Sequence, residues 1–365
     1  MRALSKLDHL LAQLRLRCFT KLDDPIALRW VQAASEQRAT MVQGPHADWR
    51  DVTADTVWGE PQSYFWFHGT ATTPDDVAGQ RLYLWIEAEF GRVMGRSDPQ
   101  CLVRINDKIT QGADFNHREV LLTPSAVAGE TFEIMVEAGT IEDRLQRGFS
   151  VQLMTHDALA ESVYFDLKVP LDVARHLPEN DHRRDVILTT VYEAINAIDL
   201  RHGDLQRFHA SLDVAREIAG RIYDMVDTEL TPKITVTGHT HIDVAWLWRV
   251  RETRQKMARS MSTALTLMEE YDEYLFMYNQ GYLLDTLNQD YPEIFERLKA
   301  QHDTGRFEIE GALWLEPDAN MTSGESLVRQ ILKGIQYHQD TFGVTPKIVW
   351  LPDTFGYSAA LPQIM

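Results

Sequence analysis

Two imidazoles, a carboxylate and two indoles fall within eleven residues, Gly238-His239-Thr240-His241-Ile242-Asp243-Val244-Ala245-Trp246-Leu247-Trp248. His241 and Asp243 are two apart, so an extended backbone points both side chains the same way. That face offers one nitrogen and one oxygen donor, a pairing that suits zinc or a similar divalent ion. The plainer alternative is a strand-end histidine hydrogen-bonded to a nearby carboxylate. A second acidic segment, Trp350-Leu351-Pro352-Asp353-Thr354-Phe355-Gly356-Tyr357-Ser358, follows another apolar run. Its aspartate has its own plain reading, as the opener of a turn or the cap of a helix. Polar residues also close two further apolar runs: Asn279 and Gln280, then Glu316, Asp318 and Asn320.

These residues need elements that bring them together. From residue 233 the pattern alternates strand and helix. Strands are expected over 234–237, 275–279, 307–315 and 348–351, with helices over about 253–270, 292–301 and 325–342. Such a βα alternation predicts parallel strands with right-handed crossovers. It would gather the polar strand ends on one rim, where α/β barrels place their chemistry. Four strands cannot close a barrel, so the expectation is the first part of a seven-stranded-type α/β barrel, in a chain that reads as an N-terminal fragment.

Upstream, residues 1–45 read as N-terminal helices, the first carrying Leu10, Leu14 and Leu16 and the second starting at Asp24-Pro25. Residues 46–170 hold short, often alternating apolar runs: 64–67, 82–86, 102–105, 120–122, 132–136, 149–153 and 163–165. That spacing predicts a β-sandwich. Helical periodicity returns over 171–231 and reads as a linker to the α/β domain of 232–365. The fold class expected is therefore mixed.

The two motif segments resemble the signature segments of glycoside hydrolase family 38, the metal-dependent retaining α-mannosidases. The resemblance is closest to the large cytosolic type with an N-terminal β-domain. Val103-Arg104-Ile105-Asn106 through Asn116-His117-Arg118-Glu119-Val120 is similar to that domain, so the likeness spans nearly the whole chain. It implies one divalent ion, zinc first and cobalt as an alternative, held by His241, Asp243 and Asp353. It also implies that Asp353 is the catalytic nucleophile. A fourth ligand, a histidine, and the general acid/base would belong to sequence beyond Met365, which would leave this chain nearly inactive by itself. Trp246 and Phe355 match aromatic positions that line the sugar subsite, although core packing suits them on pattern alone. Glu316 and Asp318 are candidates for hydrogen bonds to substrate hydroxyls, and His239 matches no ligand. The partner implied is a mannose-containing oligosaccharide, and the family often forms homo-oligomers.

Composition narrows the alternatives. Lys and Arg total 36 against 54 Asp and Glu, a net charge of −18, which disfavours nucleic acid and anionic membrane as partners. Two cysteines, Cys18 and Cys101, suit a reducing compartment, hence a cytoplasmic location. No apolar run is long enough to span a bilayer, and the N-terminal pattern lacks a signal peptide's apolar core. One competing reading is a polysaccharide deacetylase-like metal hydrolase, disfavoured because no pair among the thirteen histidines has HxxxH spacing. The other is a non-catalytic carbohydrate-binding module.

Overall fold

The computed structural model describes residues 2–22, 25–33, 48–93, 96–141, 145–201, 203–225 and 232–365. Helix α1 (Arg2–Arg15) leads into strand β1 (Phe19–Lys21) and strand β2 (Leu28–Ala33). The second N-terminal helix is thus replaced by strands; its proposed start at Asp24 and residues 34–45 lie outside the described residues. The reason is pairing: β2 finds a complete antiparallel partner, Leu28 opposite Gly69 through Ala33 opposite Tyr64, a non-local bond set that local periodicity cannot reveal.

The strands that follow are β3 (Arg50–Asp51), β4 (Val57–Trp58), β5 (Ser63–Thr72), β6 (Leu82–Glu87), β7 (Gly91–Val93) and β8 (Arg96–Asp98). Next come β9 (Gln100–Ile105), β10 (Lys108–Ala113), β11 (Glu119–Thr123), β12 (Thr131–Thr140), β13 (Gln146–Arg147) and β14 (Ser150–His156). They build a four-stranded sheet, β1-β14-β6-β11, and a six-stranded sheet, β10-β9-β12-β5-β2-β3, both antiparallel. Phe65 and Phe67 from β5, Val103 from β9 and Val136 from β12 share one core with Leu84 from β6, Val120 from β11 and Val151 from β14. Alternate residues of each strand face this core, the period-two pattern that half-buried strands require. Trp58 fills its end, stacking edge-on against Phe65 and Phe67 and donating its indole N–H to Gly148 O at 2.9 Å.

The run 163–165 is not a strand. It lies in helix α2 (Ala158–His176), where Val163, Leu167, Leu171 and Ala174 bury one stripe at helical spacing. A three-residue apolar run cannot show its period. Helices α3 (His182–Ala197) and α4 (Leu205–Gly220) pack beside it on a shared core with α1, including Leu14, Leu167, Val191 and Leu212. Asp157, Asp181 and Asp204 each cap the next helix through a backbone N–H, satisfying donors the helix cannot.

The last third holds helix α5 (Val250–Glu270), strand β15 (Phe276–Tyr278), helix α6 (Gly281–Asp290), helix α7 (Pro292–Asp303), strand β16 (Phe307–Ile309), helix α8 (Gly324–Phe342) and helix α9 (Leu361–Ile364). The three expected helices are present, and α6 and α9 are additions. The strands are shorter than expected: β15 and β16 form one parallel pair. Residues 234–237 form no strand; next to them a single parallel bridge joins Gly238 to Phe276. Residues 348–351 form no strand either, meeting the rest through Ala312 N donating to Ile348 O at 3.0 Å. Among the described residues the parallel layer is therefore two-stranded, and the architecture is mixed α/β with antiparallel sheets and helices. Ile234 and Val236 are each 81% exposed, and no neighbour among the described residues supplies the ladder that would make their segment a strand. Gly311, at φ 99°, ends the run after β16, and a Cβ there would meet Asn279 Cβ at 2.6 Å.

Helix α5 joins the two halves. Gly112 N donates to Thr263 Oγ1 at 3.0 Å and Thr266 Oγ1 donates to Thr110 O at 2.6 Å, while Leu102 and Ile109 enter the core around Met257, Met261 and Leu265. No helix among the described residues is long and apolar enough to cross a membrane.

Candidate metal centre

The loop after Gly238 is irregular but anchored at both ends. Gly238 N donates to Leu275 O and Met277 N donates to Gly238 O, both at 2.8 Å, so the segment runs beside β15. Ile242 is buried, and its carbonyl accepts Gln280 Nε2 at 3.0 Å. Thr253, in the first turn of α5, donates its hydroxyl to Asp243 O at 2.9 Å and accepts Trp248 Nε1 at 2.8 Å. Ile242 thus points inward while His241 and Asp243 share the other side, as the alternation requires.

Asp353 arrives from a separate loop. Asn279 Nδ2 donates to Trp350 O at 3.2 Å, and Ser358 N donates to Ala319 O at 3.1 Å. Gly356 sits at φ 139°, and a Cβ there would lie 2.4 Å from Asn320 Nδ2. Only glycine allows that backbone and that approach. The loop is thereby fixed against the 318–321 turn, which Asp318 closes by accepting Asn320 N at 2.8 Å and Met321 N at 2.7 Å. Those two N–H groups hold the Asp318 carboxyl below its ordinary range.

His241, Asp243 and Asp353 meet as one group. His241 Nε2 lies 3.3 Å from Asp243 Oδ1 and 3.5 Å from Asp353 Oδ2, and one donor atom of each falls within 4.8 Å of the others. An ion bound at about 2 Å to each donor would hold them roughly 3–4 Å apart, so the set fits a divalent cation. On the ring's other side Glu316 Oε2 is 2.8 Å from His241 Nδ1, off the axis of a directional hydrogen bond. Glu316, chiefly, raises the His241 imidazole to about 9; partial burial opposes it and Asp243 adds to it. The cavity is about 290 Å³, and Asp243, Glu316, Asp318 and Asp353 line it with no lysine or arginine among its lining residues. A site with that charge balance favours a cation.

The other candidates divide. Phe355 lines the cavity and is 89% exposed; Trp246 is 56% exposed and turns edge-on to Trp248 instead of lining it. Asp318 lines the cavity. Glu316 is nearly buried there and is directed at His241 and Asn279. His239 stands outside the group, between Tyr278 and Trp350, with Nε2 3.3 Å from Asn279 Oδ1. Asn279, noted in the sequence without a role, is the organiser: fully buried, it touches His239, Glu316 and Trp350 O at once. Its signal was a polar residue ending an apolar run. Thr253 left no such signal.

Residues 231–365 match the model of the glycosyl hydrolases family 38 N-terminal domain. Alpha-mannosidase 2C1 of Homo sapiens is 30% identical over 90% of this chain and 32% of its own length. Alpha-mannosidase G of Dictyostelium discoideum is 27% identical over 87% of this chain and 30% of its own, and the alpha-mannosidase of Saccharomyces cerevisiae 29% identical over 87% and 31%. The chain spans about a third of the length of the curated relatives it matches. Residues 231–365 thus match a glycosyl hydrolases family 38 N-terminal domain, and most of the chain is similar to alpha-mannosidases.

Proposed function

We propose that this chain contributes the metal-binding part of a retaining α-mannosidase that removes terminal α-linked mannose from oligosaccharides. The observation that carries the reading is the convergence of His241, Asp243 and Asp353, since Asp353 reaches the pair from a loop more than a hundred residues later. His241, Asp243 and Asp353 would hold one divalent ion, with zinc the best fit to a nitrogen-and-carboxylate donor set and cobalt an alternative. When bound, such an ion supplies Lewis-acid chelation of neighbouring sugar hydroxyls and favours an oxocarbenium-like transition state.

Asp353 is the nucleophile in this reading. Its carboxylate is half exposed in the cavity, open to the anomeric carbon, and would form the covalent glycosyl-aspartate that retention demands. A proton donor about 5 Å away is needed to protonate the leaving oxygen, and no residue is assigned to it. Phe355 offers an open aromatic face to the C–H surface of a pyranose, and Trp246 lies on the neighbouring loop. Asp318 can accept sugar hydroxyls with the oxygen its own turn does not use. Around this site we place β15, β16 and the segments 234–238 and 348–351 as the first part of a parallel β/α barrel, supported by the Gly238–Phe276 bridge. A cytoplasmic setting is supported by two buried, unpaired cysteines. Self-association into a homo-oligomer belongs to the same proposal.

The test is hydrolysis of an aryl α-mannoside with added Zn²⁺ or Co²⁺, by this chain and by a version continued to the relatives' length. Activity in the longer chain that disappears with Asp353→Asn is expected. Inactivity of the longer chain with either metal, alongside sugar binding that survives Asp353→Asn and metal removal, would replace the enzyme by a carbohydrate-binding module.

A further inference from the structure

We infer that Glu316 is a positioning residue, fixing the tautomer and ring orientation of His241 so that Nε2, and not Nδ1, faces the metal. The inference rests on the metal-centre reading above. It starts from how His241 is bracketed. Nε2 looks toward Asp243 Oδ1 and Asp353 Oδ2 at 3.3 and 3.5 Å, while Nδ1 has Glu316 Oε2 at 2.8 Å on the opposite side. An imidazole carries its proton on one nitrogen and its lone pair on the other, and the partner of the first decides which serves as ligand.

Glu316 is suited to that task because it is itself held. Its side chain is 9% exposed, and its other oxygen, Oε1, accepts Asn279 Nδ2 at 2.9 Å. Asn279 is fully buried and spends the same amide on Trp350 O at 3.2 Å. The carboxylate therefore cannot swing into the cavity without leaving the Asn279 amide short of an acceptor, which is costly for a buried donor. Among the described residues no arginine or lysine forms an ion pair with Glu316, so its charge is directed at His241. Turning the ring to bring Nδ1–H onto the line to Oε2 would complete the hydrogen bond. Partners of this kind orient a ligand imidazole and raise its basicity. A hydrogen bond from Glu316 to a sugar hydroxyl would require the opposite, an oxygen turned outward.

The experiment measures Zn²⁺ and Co²⁺ affinity of the chain by competition with a chromophoric chelator, in the parent and in Glu316→Leu and Glu316→Gln. It adds the proton NMR signal of the His241 Nδ1–H in the zinc-loaded protein, assigned by its loss in His241→Gln. Glu316→Leu is expected to weaken both metals by about 10–100-fold, the usual cost of losing such a partner, and to abolish the protected Nδ1–H signal. Glu316→Gln keeps an acceptor oxygen, so it should recover most of the affinity and retain the signal; it also covers the case that the leucine variant does not fold. Affinity within twofold of the parent in Glu316→Leu, or in Glu316→Gln a lost Nδ1–H signal without lost affinity, overturns the positioning role and leaves the metal centre standing. A parent chain that binds neither metal overturns both.

Discussion

Four carboxylates, Asp243, Glu316, Asp318 and Asp353, line a cavity with a single imidazole, yet they are not equivalent. Asp243 and Asp353 present oxygens to His241 Nε2, whereas Asp318 spends one oxygen on its own turn. Removing Asp243 or Asp353 takes a donor from the ligand set; removing Asp318 does not. Cobalt titration should therefore show Asp243→Ala and Asp353→Ala each losing far more affinity than Asp318→Ala. An equal loss in all three would mean that the cavity attracts cations only by its summed charge. The motif spacing disclosed His241 and Asp243 because both obey one local alternation. It could not disclose that Glu316 turns to His241, since that contact crosses from one strand end to another.

Elements deliver these residues through a few close approaches. Helix α8 meets the 312–314 segment at Gly334, where a Cβ would lie 2.2 Å from Ala312 O and 2.6 Å from Trp314 N. Both are backbone atoms and cannot rotate away. Gly334→Ala is expected to destabilise by about 1–3 kcal/mol or more, read as a lower denaturant midpoint, despite alanine's better helix propensity. A stabilised variant would show that the helix and the segment separate freely. In the helical layer before the α/β region, Asp157 caps α2 through Ala160 N at 2.9 Å and pairs with His209 at 2.6 Å. Asp157→Ala should cost about 1 kcal/mol for the cap, and Asp157→Asn, which keeps the capping oxygen, should recover most of it in thermal melts. The expected helices 253–270, 292–301 and 325–342 appear because each carries its own apolar stripe and termini. The strands of the same domain are short because a strand exists only with its partner, and 234–237 has none beside it among the described residues.

At the scale of the whole molecule, stability responds to pH through a buried histidine that does not line the cavity. His338 is fully buried on α8, and burial holds its imidazole down to about 4, against a weaker upward pull from Glu310. Its folded value lies below the unfolded 6.5, so below 6.5 the unfolded chain binds a proton that the folded chain refuses. That contribution to stability is complete above 6.5 and is lost as pH falls toward 4, roughly 3 kcal/mol in all. Denaturant midpoints should drop across that interval in the parent and drop less in His338→Leu. Parallel curves for the two proteins would assign the acid sensitivity elsewhere.

From the sequence alone came the donor types at 241, 243 and 353, the antiparallel runs between 64 and 153, and the longer helices. All of these are written in local periodicity or in contiguous motifs. The tertiary structure decided that β2 replaces a second N-terminal helix, that 163–165 turns helical, and that among the described residues two parallel strands pair. It also decided that Asn279 and Glu316 stand behind His241. Each of those outcomes depends on which distant backbone or side chain fills a hydrogen bond or a core, and a chain read residue by residue carries the demand for a partner without naming it.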